Sequence, residues 1–116
     1  MGTDKGVKLD TGKLRWDLLP LDLVEGIVEV LTFGANKYTD NGWQSVENGY
    51  DRYKAAFFRH LLEIEKGNLI DTESGLSHSD HMLTNALFMS YMVKDEIATL
   101  SHGAEHEYQG WGGDSV

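Results

Sequence analysis

The spacing of hydrophobic residues along the chain predicts three α-helices separated by polar segments. The first helix is expected to begin near Pro20, because proline suits the first helical position. Gly34 and the turn-forming residues 36–43 are expected to end it. Its apolar residues at helical spacing are Val24, Ile27, Val28, Leu31 and Ala35.

The second and third helices are predicted over residues 50–66 and 77–100. The apolar face of the second consists of Tyr53, Ala56, Phe57, Leu61 and Ile64, and Gly67 is suited to its C-terminal end. Ser77 followed by Asp80 resembles a capping box at the start of the third. Because no segment has a convincing strand pattern, the predicted fold class is all-α, a small bundle of about three main helices.

The third helix is apolar over most of its circumference, which predicts that the bundle is completed by oligomerisation. Its hydrophobic residues are Met82, Leu83, Ala86, Leu87, Phe88, Met89, Tyr91, Met92 and Val93. A helix with this pattern needs burial on every side, and two short helices cannot supply it. We therefore expect a homo-oligomer, a dimer or higher, that forms a larger bundle.

The helical pattern divides the chain into an N-terminal arm (1–19), a helical domain (20–100) and a flexible C-terminal tail (101–116). The arm has no helical or strand period, so it either folds over part of the molecule or is disordered. Its apolar residues Leu14, Trp16, Leu18 and Leu19 favour the first alternative.

Composition indicates a globular protein of the cytoplasm. The chain has 116 residues, 41% hydrophobic and 25% charged, with no cysteine, no expected secretory signal and no apolar run long enough to cross a membrane. A net charge of −9 argues against a nucleic acid polymer as partner. A small phosphate ligand remains possible, because local cations such as Lys13 and Arg15 or a bound metal ion can oppose the global charge.

Three polar residues share one stripe at the start of the third helix. His78, His81 and Asn85 follow i, i+3, i+7 spacing, and the same stripe continues into Met89 and Met92. Buried polar side chains need partners, so the stripe predicts a built pocket near a helix N-terminus, where anions are favoured. The alternative is that the two histidines are capping and surface residues beside the core.

The second helix supplies Arg59 and His60. His60 shares the apolar face of that helix and is expected to point inward. Arg59 can present a forked cation to a phosphate, or it can form a structural salt bridge.

Carboxylates and aromatic residues complete the candidate site. Glu25 and Glu29 can bind Mg²⁺ or Mn²⁺, or they form a solvated acidic face. Asp71, in the loop before the third helix, can orient a histidine or hold a metal. The segment that follows the first helix contains a cation and aromatic rings suited to a stacked base and its phosphates, or to a packed loop; these residues are Lys37, Tyr38 and Trp43.

The ordered set of these motifs resembles the phage and bacterial family of dATP/dGTP diphosphohydrolase N-terminal domains. The matching segments cover about residues 8–90. They are Lys8–Asp10, Gly12–Pro20, Leu31–Tyr38 with Asn41 and Trp43, Arg59–Leu61 with Gly67, and Asp71, Glu73–Leu76, His78, His81 and Asn85–Leu87. The resemblance implies an all-α, MazG-like fold that hydrolyses a deoxynucleoside triphosphate to monophosphate and pyrophosphate with a divalent metal.

Residues and resemblance together predict a metal-dependent nucleotide diphosphohydrolase. His60, His78, His81 and Asp71 are the candidate catalytic residues, and Glu25 and Glu29 the candidate ligands of Mg²⁺ or Mn²⁺. The candidate substrate-binding residues are Lys13, Arg15, Lys37, Tyr38, Trp43, Arg59 and Asn85. The alternatives are a non-catalytic binder that sequesters a nucleotide or a nucleotide-derived signal, and a helical interaction module without a ligand.

Overall fold

The computed structural model describes residues 11–101 of the chain, which are mainly helical. The α-helices are α1 (Leu21–Lys37), α2 (Gly49–Glu65) and α3 (His78–Ser101), and 3₁₀ helices occupy Trp16–Leu18 and Gly42–Ser45. The predicted all-α bundle of three main helices is therefore confirmed. Residues 1–10 of the predicted arm and 102–116 of the predicted tail lie outside the described residues.

The helix boundaries follow the sequence prediction closely except at the end of α1. Gly34 does not end this helix, which continues to Lys37, and the Tyr38 amide donates to the Gly34 carbonyl at 2.7 Å. A glycine inside a helix costs only about 1 kcal/mol relative to alanine, so hydrogen bonding on both sides overrides it. The predicted caps of α2 and α3 are confirmed: Gly67 has a positive φ of 92° after α2, and the Ser77 hydroxyl accepts the Asp80 amide.

Helices α2 and α3 run antiparallel and make the main contact of the fold. At one end, Gly49 is buried against the side chain of Met92, where an added Cβ would overlap the methionine. At the other end, the ring of His60 stacks on that of His81. The face of α2 that contacts α3 is the predicted one, since Tyr53 and its helical repeats are all partly buried.

Helix α1 packs on α3 through a face that only partly coincides with the predicted one, of which Val24, Ile27, Leu31 and Ala35 are partly buried. Its buried residues are Gly26 and Val30, whereas Val28, predicted to face the core, is 52% exposed. Gly26 lies against the Asp80 carboxylate with no space for a Cβ. The pattern missed the most buried part of the face because one of its two buried positions is a glycine, which contributes nothing to a hydrophobic pattern.

The most deeply buried positions of α3 are polar. They are His78, His81, Thr84 and Asn85, and Val30 is the one hydrophobic side chain within residues 11–101 that is equally buried. The Thr84 hydroxyl donates to the Asp80 carbonyl at 2.8 Å, and the Asn85 amide donates to the His81 carbonyl at 2.9 Å. The interior of the described part of the chain is therefore built around hydrogen-bonded groups.

Many large apolar side chains remain exposed on the three helices and on the arm. On α3 they include Leu87, Val93, Ile97 and Leu100, and in the arm Leu14 and Trp16 are largely exposed. None of the helices in the described part of the chain is both long and apolar enough to cross a bilayer.

Candidate active site

Three histidines from two helices meet at one end of the α2–α3 pair. His60 projects from α2, and His78 and His81 project from the first two turns of α3. The ring of His60 is stacked on His81, with centroids 4.6 Å apart and planes 9° apart, and lies 5.0 Å from the ring of His78. The sequence singled out these three residues, and the fold places them in direct contact.

His60 and His78 share a hydrogen bond between like atoms. Their Nδ1 atoms are 2.8 Å apart, so one nitrogen must carry the proton and the other must accept it. Burial lowers the pKa of His60, and the neighbouring imidazoles His81 and His78 lower it further. One proton therefore lies between the two Nδ1 atoms, and burial favours the neutral form of the His60 ring.

His81 is held from its other side by the loop that precedes α3. Its Nε2 lies 2.7 Å from the Ser74 hydroxyl, which lies 2.8 Å from Asp71 Oδ2. The Ser74 amide donates to the same carboxylate oxygen at 2.9 Å, and the Asp71 carbonyl accepts the Gly75 amide at 2.8 Å. The loop is therefore a tight turn that presents a carboxylate and a hydroxyl to one imidazole nitrogen.

The charges of Asp71 and His81 act on one another in this turn. Burial raises the pKa of Asp71, but the Ser74 hydrogen bonds and the nearby imidazoles outweigh it, so that pKa lies below its ordinary value. Burial lowers the pKa of His81, and the attraction of Asp71 offsets only part of this effect. At neutral pH the turn thus holds an ionised carboxylate beside a neutral histidine.

Of the two cations near the histidines, Lys37 forms an ion pair and Arg59 forms none within residues 11–101. Lys37, at the end of α1, forms an ion pair with Glu73 of the loop and lies 5.8 Å from the centroid of Phe33. The edge of Phe33 in turn faces His81, so the end of α1 is joined to the cluster. Arg59 is exposed and, within residues 11–101, forms no ion pair. Its guanidinium is available to an anion, and the alternative of a structural salt bridge does not occur there.

The arm cations lie on an exposed segment. Arg15 forms a bidentate pair with Asp17, with both N–O distances 2.8 Å, and Lys13 is exposed. The described part of the arm, residues 11–19, is exposed throughout, and its 3₁₀ helix contacts none of the other helices.

The two candidate stacking residues have different environments. Tyr38 is 70% exposed, with Lys37 Nζ 5.2 Å from its ring centroid. Trp43 is packed within the fold, stacked on Phe88 at 4.3 Å and 20°, and its carbonyl accepts the Tyr53 hydroxyl at 2.8 Å. Tyr38 has a free face for a base, whereas one face of Trp43 is used to hold the second 3₁₀ helix on α3.

The candidate metal ligands Glu25 and Glu29 are exposed on α1, next to the buried residues Gly26 and Val30. In the part of the chain that the structure describes, no group of three or more histidine and acidic side chains is placed to hold a metal ion. Two carboxylates fit the mode in which Mg²⁺ is held by one or two protein ligands and completed by substrate phosphates and water.

Sequence reasoning missed Ser74 as an individual site residue. It named the loop and Asp71, but a serine in a polar turn is unremarkable until the turn folds. The Asp-x-x-Ser spacing of Asp71 and Ser74 was the available signal, since it is the spacing at which an aspartate accepts a backbone amide in a turn.

Comparison with known proteins places the chain in a family. The model of the family "dATP/dGTP diphosphohydrolase, N-terminal" matches residues 3–100. A dATP/dGTP diphosphohydrolase of Salmonella phage PMBT28 is 33% identical over 90 residues, which are 78% of this chain and 30% of that protein. The chain thus spans less than a third of the relative's length. No solved structure matches. The chain belongs to the dATP/dGTP diphosphohydrolase N-terminal family.

Proposed function

We propose that this domain acts in a diphosphohydrolase that converts a (deoxy)nucleoside triphosphate into a monophosphate and pyrophosphate. The similarity to a phage protein of that name supports the nucleotide and the reaction class. The observation that carries the proposal is the cluster of the partly buried His60 with the buried His78 and His81, with an ionised Asp71 beside it. Next to it lies Arg59, which is exposed and forms no ion pair within residues 11–101. An interaction module without a ligand would not explain polar groups concentrated in the interior.

The reaction requires a proton acceptor and neutralisation of phosphate charge. Water adds to the α-phosphorus, the bond from that phosphorus to the bridging oxygen breaks, and pyrophosphate leaves. His81 accepts the proton that water loses, with Asp71 nearby to stabilise the imidazolium. His60 supports the ring of His81 by stacking on it and is itself held by its hydrogen bond to His78.

The remaining candidate residues bind the substrate. Arg59 contacts phosphate oxygens, and Lys37 joins it when its ion pair with Glu73 opens. Tyr38 stacks on the base, with Trp43 supporting the segment behind it. Asn85 holds the carbonyl of the His81 backbone, and Lys13 and Arg15 add positive charge from the arm.

A divalent metal, Mg²⁺ or Mn²⁺, is part of this proposal. Glu25 and Glu29 would hold it, and the ion would supply charge stabilisation to the phosphates when bound. Their exposure on α1 leaves them free to bind such an ion together with the substrate.

The second candidate function is a binder that sequesters a nucleotide or a nucleotide-derived signal without hydrolysing it. The observation that favours it is the lack, within residues 11–101, of a third metal ligand near Glu25 and Glu29. A buried polar cluster with an adjacent arginine is sufficient for binding, whereas hydrolysis also needs a complete catalytic set.

Assembly with further copies of the chain also belongs to the proposal. The stripe of Val93, Ile97 and Leu100 on α3 leaves apolar surface in water, with Ile97 58% and Leu100 61% exposed. Exposed apolar patches of this kind mark association surfaces. A second copy that offers the same stripe would complete the bundle around α3.

One experiment distinguishes the two functions. The protein is incubated with a panel of deoxynucleoside triphosphates and Mg²⁺ or Mn²⁺, pyrophosphate release is followed, and thermal shifts are measured in parallel. Turnover supports the hydrolase, and a thermal shift without turnover supports the binder. The absence of both responses, for every nucleotide, would contradict both functions.

A further inference from the structure

We infer that Ser74 and Asp71 hold His81 in the tautomer with the proton on Nε2, which leaves Nδ1 as the atom that accepts a proton. Ser74 is then a positioning residue that acts through His81. The mechanistic part of this inference rests on the proposed function, whereas the tautomer itself is independent of it.

The inference begins with the single proton of the Ser74 hydroxyl. The oxygen has three neighbours: the Leu76 amide at 3.1 Å, Asp71 Oδ2 at 2.8 Å and His81 Nε2 at 2.7 Å. The Leu76 amide can only donate, so it uses a lone pair of the hydroxyl oxygen. The hydroxyl proton must therefore go either to Asp71 or to His81.

The carboxylate decides between these alternatives. An ionised Asp71 can only accept, and at 2.8 Å its oxygen would face a lone pair of Ser74 if the hydroxyl proton pointed at His81. Two acceptors at that distance repel one another. The Ser74 hydroxyl thus donates to Asp71, and His81 must supply its own proton, on Nε2, to the remaining lone pair of Ser74.

Two further contacts support this arrangement. His81 Nε2 also lies 3.5 Å from Asp71 Oδ2, so a proton on that nitrogen is directed toward negative charge. The Ser74 amide fixes the same oxygen at 2.9 Å and keeps the carboxylate in place. The other ring nitrogen of His81, Nδ1, forms no hydrogen bond with any residue within 11–101.

The consequence is a defined proton path. A neutral His81 has its lone pair on Nδ1, so the proton of the attacking water is transferred to Nδ1 while Nε2 keeps its own. The resulting imidazolium donates through Nε2 to Ser74 and, through that hydroxyl, to Asp71. Asp71 stays ionised throughout, so it stabilises the charge without receiving the proton.

The direct test is nitrogen-15 NMR of the full-length chain near neutral pH, with the His81 signals assigned by their loss in His81→Gln. We expect a proton on Nε2 that is protected from exchange, together with an unprotonated Nδ1. Ser74→Ala should lose this protected signal and Ser74→Thr, which keeps the hydroxyl, should restore it. Thr72→Ala removes an exposed hydroxyl from the same turn and should leave the spectrum unchanged.

A proton on Nδ1 and none on Nε2 of neutral His81 in the wild-type spectrum would overturn the inference, whatever the Ser74 variants show. A protected Nε2 proton that survives in folded Ser74→Ala would overturn the role of Ser74. Where pyrophosphate release is measurable, Ser74→Ala should lower kcat by about 10- to 100-fold, the range for partners that orient a functional histidine, with a smaller change in KM. If the spectrum shows the predicted tautomer but the protein hydrolyses no nucleotide, the proposed hydrolase function is contradicted. The inference about the tautomer is then still supported.

Discussion

The Nδ1 atoms of His60 and His78 lie 2.8 Å apart, so one proton lies in the hydrogen bond between these two nitrogens. This contact joins α2 to the start of α3, and the ring of His60 is also stacked on His81. If both rings became imidazolium ions, each Nδ1 would carry a proton, so the hydrogen bond would be lost and two like charges would lie in contact. The contact is therefore a structural link whose strength depends on pH.

Acidification is expected to destabilise the fold, beginning below about pH 6.5. The pKa of His60 and that of His81 lie below their ordinary value of 6.5 because of burial. As the pH falls through 6.5, the unfolded chain takes up protons that the folded chain excludes, so the free energy of unfolding decreases. Well above pH 6.5 both histidines are neutral in the folded and in the unfolded chain, so they cause no loss of stability there. Urea unfolding at a series of pH values measures the effect.

The variant His60→Asn should flatten that pH dependence. The matched control is Asp95→Asn, because Asp95 is exposed near the end of α3. An unfolding free energy that stays constant from pH 8 to pH 5.5, or the same slope in His60→Asn as in the wild type, would contradict the assignment of acid sensitivity to this cluster.

Replacement of Arg59 should weaken nucleotide binding and leave stability almost unchanged. Arg59 is exposed and has no ion pair within residues 11–101, so Arg59→Gln removes a free cation and no internal contact. Loss of one charge-assisted bond of about 1.5–3 kcal/mol corresponds to roughly a tenfold to hundredfold rise in Kd or KM. Titration calorimetry with a deoxynucleoside triphosphate measures it. Arg52→Gln, an exposed arginine on the same helix, serves as control, and equal effects of both variants would argue against a specific phosphate contact.

Replacement of Tyr38 should weaken nucleotide binding, whereas replacement of Trp43 should lower stability. Tyr38→Ala removes an exposed ring and should weaken binding by about 1–3 kcal/mol, the usual contribution of a base-stacking side chain, without lowering Tm. Trp43→Ala removes the ring stacked on Phe88 and should lower the free energy of unfolding by about 2 kcal/mol or more. Denaturant unfolding and nucleotide titration of both variants check this. A Trp43→Ala protein of unchanged stability would contradict the packing role.

The exposed stripe on α3 predicts that the chain assembles in solution. The wild type should have at least twice the mass of one chain in light scattering after size exclusion, and Ile97→Lys should reduce it. Lys94→Glu changes an exposed polar position of the same helix and should have little effect. A monomeric wild type would contradict the assembly.

Helical periodicity was sufficient to predict the helices and the face of α2 that holds His60. It also placed His78, His81 and Asn85 on one buried stripe, because that spacing is fixed by helix geometry. Apolar spacing predicted the partly buried residues of α1 but not the buried Gly26, which has no side chain and lies against Asp80 of α3.

Tertiary contacts determine the remaining features of the site. The Lys37–Glu73 ion pair joins positions 36 residues apart in the chain, and no local pattern predicts it. Ser74 belongs to a turn whose own hydrogen bonds are local, but its contact with His81 joins the loop to α3 and is not shown by the turn pattern. The sequence left open whether Trp43 stacks on a base or packs in a loop, because its partner Phe88 lies on α3, far away in the sequence.

The central claim is that the histidine cluster acts on a nucleotide, and its most direct test is pyrophosphate release by wild type and His81→Ala. dATP and dGTP are supplied with Mg²⁺ or Mn²⁺, and Asp95→Asn is the control. We predict release by the wild type and the control, and a loss of at least about 100-fold in His81→Ala, the contribution expected of a general base. Full activity in a folded His81→Ala protein would contradict the claim.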